Sequence, residues 1–413
     1  MTKRILAAAL LAASLCGSAA AQDNTAVQFK PYGFIRNYFV VDSRESIYGT
    51  DDFFYYVPKD RNIVGGEDLN GQTTFSYGAI TSRLGLDVTG YQINGWKVAG
   101  KIEGDFYAGL SGVTGTATFR LRQAFMTLAK DNFSLKAGQA WHPMAADMPH
   151  IFSLNTGAPF GPFSRTPEVV ADFGLGGGFT LTAAAIWQMQ YTSAGPNGAS
   201  ADYMKYSGIP ELYLGLSLKQ GGFTGRIGVD MLSIRPRHLD ATGTKKVNDR
   251  ITTFSPFAYA EYTEGLFSVK AKTIFAQAGE HMNLNGGYGV SSIGSDGTWY
   301  YAPTRNSSSW VSLTYGKKVQ GVLFAGYVRN FGTAKELVGP LYFSKNSFSN
   351  MNRMFRITPE IMFNWGKVTL GFEYELTGVQ YGSFGSGDDH GLATHDLHWV
   401  CNNRLQALLR YTF

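Results

Sequence analysis

The feature that most limits what this chain can fold into is an alternation of apolar and polar residues that recurs along most of its length. In the segment WKVAGKIEGDF, Val98, Ile102 and Phe106 fall on one parity. Lys101 and Glu103 fall on the other parity. Alternation with a period of two is typical of a β-strand whose two faces have different surroundings. The pattern therefore predicts an all-β protein.

Tight turns and long polar stretches separate the alternating segments in a regular order. The alternation predicts sixteen strands, near residues 29–42, 75–89, 96–107, 118–129, 133–142, 168–173, 179–190, 210–219, 223–235, 252–263, 267–277, 309–316, 319–330, 353–365, 368–376 and 395–413. Seven connections are short, as hairpins require, and read YQING, KDN, GLGGG, QGG, EG, KK and GK. Short turns that alternate with long loops around an even number of strands are typical of transmembrane barrels. We therefore predict an all-β, 16-stranded antiparallel transmembrane β-barrel with long extracellular loops and short periplasmic turns.

The charged residues favour such a barrel over a soluble β-sandwich, which can show the same alternation in any single strand. Arg356 and Glu360 share one face of RMFRITPEIMFNW, and Glu373 and Glu375 share one face of VTLGFEYEL. Charges repeated on one face, strand after strand, suit a water-filled lumen better than the solvated face of a sheet. Aromatic residues near the strand ends suit interfacial girdles, although β-propensity alone explains part of this clustering.

The first residues, MTKRILAAALLAASLCGSAAAQ, have the pattern of a cleaved export signal, with two basic residues, an apolar run and small residues in that order. We expect cleavage after Ala21, which gives a signal peptide at 1–21 and a transmembrane β-barrel domain at 22–413. A lipoprotein signal is less favoured, because Leu15 precedes Cys16 at a position where a small residue is expected.

Charge and hydropathy argue against two other classes of protein. Loss of Lys3 and Arg4 with the signal lowers the formal net charge from +5 to +3, which argues against a nucleic-acid-binding protein. No later segment contains about 18 uninterrupted apolar residues, so we expect no membrane-spanning helix. The mature chain would contain only Cys401 and therefore no internal disulfide. Its stability must come from burial and backbone pairing.

The segment RLQALLRYTF, with Leu405, Leu409, Tyr411 and Phe413 on one parity, forms the last predicted strand. In lipid every backbone donor and acceptor must be paired, so we expect this strand to pair with the first one and close the barrel. Its final aromatic residues resemble those of outer-membrane proteins. The segments YGFIRNYFVVDSR, SRLGLDV and LKAGQAWHPM also resemble sixteen-stranded porins and, more loosely, the trimeric DcaP-like group.

This resemblance, which covers nearly the whole mature chain in pattern, implies an outer-membrane porin. Small hydrophilic solutes would diffuse passively through its water-filled channel. The resemblance implies that Tyr411 and Phe413 form the signal that the barrel-assembly machinery reads. It further implies a homotrimer in outer-membrane lipid and lipopolysaccharide, with no cofactor and no nucleic-acid partner.

The same resemblance implies that the third long loop, residues 143–167, folds into the barrel and narrows it. Asp147 would then face the pore, with Arg165 and Glu168 nearby. The opposite wall would carry six basic residues of inward parity: Arg36, Arg83, Lys101, Arg120, Arg122 and Lys136. Asp147 would lie across the narrowest point from Arg83, Arg120 and Arg122. The small excess of basic over acidic residues at inward positions predicts a weak preference for anions, whereas the alternative is that these arginines are structural and paired with carboxylates.

The sequence contains no familiar catalytic motif of the GxSxG, HExxH or P-loop type. The best metal candidate, DDHGLATHDLH, places Asp388, His390, His395 and His398 close together. Its spacing matches no standard metal site, so we interpret it as a solvated loop and predict no metal. Two alternatives stay open: a surface-binding protein or receptor whose loops hold the ligand, and, less favoured, a barrel enzyme.

Overall fold

The computed structural model describes residues 26–109, 115–240, 242–344 and 348–413. The predicted signal peptide at 1–21, with Cys16, lies outside the described residues. The strands are β1 (Gln28–Asp42), β2 (Ser46–Gly49), β3 (Phe54–Pro58), β4 (Ile63–Val64), β5 (Glu67–Asp68), β6 (Thr74–Gly78), β7 (Arg83–Ile93), β8 (Trp96–Phe106), β9 (Phe119–Lys130), β10 (Phe133–Trp141), β11 (Arg165–Gly176), β12 (Phe179–Ile186), β13 (Glu211–Gln220), β14 (Phe223–Ile234), β15 (Ile251–Glu264), β16 (Phe267–Gln277), β17 (Gly287–Ile293), β18 (Trp299–Gly316), β19 (Val319–Thr333), β20 (Leu341–Phe343), β21 (Met351–Trp365), β22 (Val368–Ser383) and β23 (His395–Thr412). An α-helix, α1 (Asp202–Lys205), and two 3₁₀ turns (Pro143–Ala145 and Gly279–Met282) complete the elements. None of these helical segments in the described ranges is long and apolar enough to cross a membrane.

Sixteen antiparallel strands form a closed barrel, as predicted. Strands β6 and β7 are two halves of one barrel strand, since both pair with β1. Neighbouring strands then pair in sequence around the barrel, with the loop strands β17 and β20 outside this order. Strand β23 pairs with β1 from Phe34↔Thr412 to Asp42↔Arg404. The Phe413 amide donates to the Gly33 carbonyl at 3.0 Å, so the predicted closure of the last strand on the first is confirmed.

The connections at the two ends of the barrel differ in length. Seven two-residue turns join the strands at one end, at 94–95, 131–132, 177–178, 221–222, 265–266, 317–318 and 366–367. Asn94 and Gly95 both have positive φ, 51° and 79°, as a tight hairpin turn requires. Eight longer loops lie at the other end. The predicted separation of tight turns from long loops is therefore confirmed.

The barrel is apolar outside and polar inside, the reverse of a soluble domain. Ile35, Leu405 and Leu409 on the outer face are 54%, 58% and 52% exposed. Arg356 and Arg404 on the inner face are 0% exposed, although both are charged. This distribution is the one that strands with lipid outside and a polar lumen inside must have.

The third long loop lies inside the barrel, as the resemblance implied. Its backbone accepts hydrogen bonds from three separate strands: Tyr38 Oη donates to the Phe152 carbonyl at 2.9 Å, Ser308 Oγ to Phe160 at 2.6 Å and Arg356 Nη1 to Ala158 at 2.9 Å. A Cβ atom at Gly326 would lie 2.5 Å from Phe160 Cγ, so the wall strand must carry glycine there. The loop ends at Ser164, three residues earlier than predicted, because Arg165 already belongs to β11.

Strand lengths differ most from prediction where both faces are polar. Strand β18 begins at Trp299, ten residues before the predicted start. In this part of β18 Thr304, Asn306 and Ser308 point inward, and the outward side chains include Arg305 and Ser307. Alternation is invisible in this part of β18, because consecutive aromatic residues at 299–301 are followed by polar residues on both faces. The small sheets in the loops, β2–β3, β4–β5 and β17–β20, escaped prediction because their strands are only two to seven residues long.

Candidate functional site

A cavity of about 320 Å³ in the lumen is lined on one side by five arginines, which we call the arginine wall: Arg36, Arg83, Arg120, Arg122 and Arg410. They come from β1, β7, β9 and β23 and occupy inward positions of these strands. The register of the barrel brings them together. Arg36 is the direct cross-strand partner of Arg410, and Arg83 pairs with Phe34 two residues before Arg36. The sequence predicted four of the five, but Arg410 was not among the predicted site residues.

The other side of the cavity is formed by the third loop and is mainly apolar. Met148, Ile151, Phe152, Leu154 and Phe163 line it, together with the hydroxyl groups of Ser153 and Thr156. No carboxylate is among the cavity-lining residues in the described part of the chain. The cavity is therefore basic on one side and apolar on the other, where an acidic loop was predicted.

Two carboxylates behind the arginine wall hold three of its members in place. Asp105 accepts from Arg120 Nε at 2.8 Å and from Arg122 Nη1 at 2.6 Å. Glu103 accepts from Arg122 Nε at 2.8 Å and lies 3.5 Å from Arg83 Nη1. Both carboxylates are almost fully buried. The sequence left open that these arginines are structural residues paired with carboxylates. The three arginines are paired in this way, and they also line the cavity.

Arg36 and Arg410 are held by neutral groups. Arg36 Nε donates to Thr81 Oγ1 at 2.8 Å, and Arg410 Nη2 donates to Thr369 Oγ1 at 3.3 Å. Thr81 adopts a φ of 68° in the break between β6 and β7, an unusual conformation for a β-branched residue. Within the described residues, no carboxylate lies within 4.0 Å of either guanidinium group. Their positive charges are therefore the least compensated in the cavity.

The prediction that Asp147 faces Arg83, Arg120 and Arg122 is wrong. Asp147 Oδ2 lies 2.6 Å from Arg226 Nη1 and 3.6 Å from Lys272 Nζ, on strands β14 and β16. Both cations also contact the loop backbone, Arg226 at the Pro143 carbonyl and Lys272 at the Met144 carbonyl. The loop enters the barrel along β14–β16, so its one acidic residue is buried against that wall and turns away from the arginines.

The remaining predicted site residues lie outside the arginine cavity. Lys101 Nζ lies 2.5 Å from Asp87 Oδ1, and Lys136 Nζ lies 2.7 Å from Glu168 Oε1. Arg165 lies over the Trp141 ring, 4.7 Å from its centroid. It lines a second cavity of about 350 Å³ that includes Arg120. Arg120 therefore connects two successive basic cavities, whereas the paired lysines and Glu168 line neither.

A group of glutamates on β21 and β22, Glu360, Glu373 and Glu375, forms what we call the glutamate wall. The third loop covers it. The Phe152 amide donates to Glu360 Oε1 at 3.1 Å, and Asn155 Nδ2 donates to Glu375 Oε2 at 3.2 Å. All three glutamates are at most 6% exposed. The loop thus removes the main acidic surface of the lumen from contact with the cavity.

The Asp- and His-rich segment is an exposed loop with internal hydrogen bonds. Thr394 and the Gly385 amide donate to Asp388, and these bonds hold the pKa of that carboxyl below its ordinary value. His395 Nδ1 also lies 2.9 Å from Asp388. His398 instead contacts Asp60 at 2.6 Å, so the candidate ligands have separate partners.

The fold resembles those of known outer-membrane channels. No known family profile and no curated protein sequence matches this chain. The DcaP channel of Acinetobacter baumannii has a TM-score of 0.69 at 18% identity, over 96% of this chain and 100% of that chain. The anion-selective porin from Comamonas acidovorans has a TM-score of 0.56 at 11% identity, over 94% and 100% of the two chains. The trimer form of OmpT from Vibrio cholerae has a TM-score of 0.54 at 12% identity, over 94% and 100%. At such identities the similarity establishes the fold.

Proposed function

We propose that this protein is an outer-membrane porin, a water-filled channel for passive diffusion of small hydrophilic solutes with a preference for anions. The observation that carries the proposal is the arginine cavity inside a barrel whose outer face is apolar. An apolar outer face of closed strands suits a lipid environment, because every strand edge is paired. A polar lumen suits the passage of water and dissolved ions.

The anion preference follows from the charges that border the cavity. A passing anion exchanges part of its hydration shell for guanidinium N–H groups, which form short charge-assisted hydrogen bonds. A cation meets fixed positive charge in a confined space of low dielectric. The apolar face of the loop supplies no compensating carboxylate. We therefore expect a stronger preference for anions than the small excess of basic residues at inward positions predicts.

The membrane placement follows from the same architecture. The tight turns would face the periplasm and the long loops the exterior. Residues 1–21 would direct export and be removed, leaving 22–413 as the barrel domain. Tyr411 and Phe413 would serve the assembly machinery, since Phe413 completes the closing strand pair. We also propose a homotrimer in outer-membrane lipid and lipopolysaccharide, supported by the trimer form of the structurally similar OmpT.

We infer a channel rather than an enzyme from the side chains at the cavity. Its polar lining consists of arginine, serine and threonine side chains, and within the described residues no histidine or carboxylate joins them. A hydroxyl group needs such a neighbour as a general base before it can act as a nucleophile. The lining therefore supports binding and passage of solutes.

Planar-bilayer recording of the purified protein tests the proposal. We expect stepwise conductance and, across a KCl gradient at low salt, a reversal potential on the anion-selective side. Heat-denatured protein from the same preparation serves as the control. Folded protein without conductance steps would reject the channel, and a cation-selective reversal potential would reject the role of the arginine wall.

A further inference from the structure

Four buried ionisable side chains meet where the third loop enters the barrel. His142 follows β10, Glu211 begins β13, Asp230 lies in β14, and His281 belongs to the 3₁₀ turn Gly279–Met282. All four are at most 2% exposed. The ligand atoms of His142, Glu211 and Asp230 lie within 4.8 Å of one another. The cluster is separate from the arginine cavity and plays no part in the proposed conduction.

Three atoms of this cluster have no hydrogen-bond partner. His281 Nε2 lies 3.2 Å from Glu211 Oε1 and 3.7 Å from Asp230 Oδ2, yet it is aligned with neither for a hydrogen bond. Glu211 Oε2 and Asp230 Oδ1 are also without a hydrogen-bond partner. Buried groups of this kind are normally paired, because an unsatisfied charged group is costly in the interior. These three unsatisfied atoms, on side chains that lie against one another, point to a shared ligand.

The two histidines have different tautomers, which gives them different roles. His281 Nδ1 lies 3.1 Å from the Ala278 carbonyl, an acceptor, so Nδ1 carries the proton and Nε2 is free to bind a ligand. His142 Nδ1 instead accepts from the Met144 amide at 3.1 Å. Its Nε2 therefore carries the proton and donates to Glu211 Oε1 at 2.8 Å. A histidine whose outer nitrogen donates to a carbonyl is the usual arrangement of a metal ligand.

We propose that His281 Nε2, Glu211 and Asp230 ligate a divalent transition-metal ion of the zinc type, with His142 as the residue that positions Glu211. Tetrahedral ligands about 2.0–2.1 Å from zinc lie about 3.3 Å from one another. The two measured separations of 3.2 and 3.7 Å bracket that value. One imidazole with two carboxylates suits zinc and its first-row neighbours better than magnesium or calcium.

Such an ion would fasten the loops at the entrance of the barrel. Glu211 and Asp230 belong to wall strands, His281 to the loop after β16 and His142 to the base of the third loop. Binding to the folded state alone would raise stability in proportion to the logarithm of metal concentration. The ion would therefore hold the third loop in the position that covers the glutamate wall.

Metal titration of the full-length barrel, refolded in detergent with a chelator and then desalted, tests this assignment. Zn²⁺ content is measured by elemental mass spectrometry, and Co²⁺ is used as a spectroscopic probe of the ligands. We expect one tightly held ion per chain. His281→Ala should weaken binding roughly 100-fold or more, and His142→Ala about 10- to 100-fold, as for residues that orient a ligand.

Control variants separate this site from other histidines. His150→Ala changes an exposed histidine of the same loop, and His395→Ala changes the exposed Asp388 contact; both should keep the ion. Heat-modifiable gel migration identifies folded barrel, and His281→Gln retains a polar side chain if His281→Ala fails to fold. Wild-type protein without a bound ion, or folded His281 variants that bind as tightly as wild type, would overturn the proposal. The first result would leave the cluster as a buried histidine–carboxylate ion pair.

Discussion

The two charged walls of the lumen differ in what covers them. The arginine wall borders an open cavity, whereas the glutamate wall lies beneath the third loop and is almost fully buried. Both walls arise from the same kind of strand, with charged residues at inward positions. The comparison teaches that inward charge alone does not decide selectivity. The path of one loop decides which wall a solute meets.

Removal of the loop is expected to have the largest effect, because it would expose the glutamate wall. Deleting residues 148–161 and joining the ends with a short Gly/Ser linker should raise single-channel conductance severalfold. The reversal potential should move toward cation preference. Shortening the exposed loop 384–394 is the matched control. An unchanged reversal potential in a folded deletion variant would contradict the comparison between the walls.

Replacement of the two unpaired arginines should have the next largest effect on selectivity. Two unit charges about 4 Å from a passing ion each change its energy by at least about 1 kcal/mol. Arg36→Gln with Arg410→Gln should therefore lower the anion-to-cation permeability ratio roughly 30-fold at low salt. The effect should shrink near 1 M salt, where the Debye length falls to about 3 Å. Lys101→Gln, at a residue paired with Asp87, should leave the ratio near the wild-type value.

Replacement of the paired arginines should affect stability as well as selectivity. Arg120→Gln with Arg122→Gln should shift the reversal potential in the same direction but less, because Arg122 is only 5% exposed at its side chain. Breaking the buried ion pairs should lower the free energy of unfolding by about 3–5 kcal/mol, because Asp105 and Glu103 keep their charges without these partners. Urea unfolding followed by gel migration measures this loss of stability. Adding Asp105→Asn should restore part of the stability, and no restoration would show that the pairs are not the cause.

The smallest effect on selectivity is expected at Asp147. Asp147→Asn removes the partner of Arg226 and Lys272, which lie beneath the loop and away from the arginine cavity. The reversal potential should stay at the wild-type value, while current fluctuations increase because the base of the loop is held less firmly. A shift toward anions as large as that of the arginine variants would mean that Asp147 does face the solute path.

The sequence by itself determined the barrel, because the information for it is local. Alternation between residues two apart specifies strand and face, and short turns such as Asn94–Gly95 specify antiparallel neighbours. These signals were enough for the number of strands, the closure at Phe413 and the inward position of all five arginines, although Arg410 was not among the predicted site residues. They were too weak where both faces are polar, as in the first half of β18.

Only the tertiary structure decided which charges meet. Arg36 and Arg410 are cross-strand neighbours because of the register between the first and last strands. The partners of Asp147 depend on where the loop enters the barrel. The cluster of His142, Glu211, Asp230 and His281 unites residues from four separate elements, none of which carries a recognisable metal-binding spacing. Contacts across a lumen are set by barrel register and loop path, and these depend on the whole closed structure rather than on residues near one another in sequence.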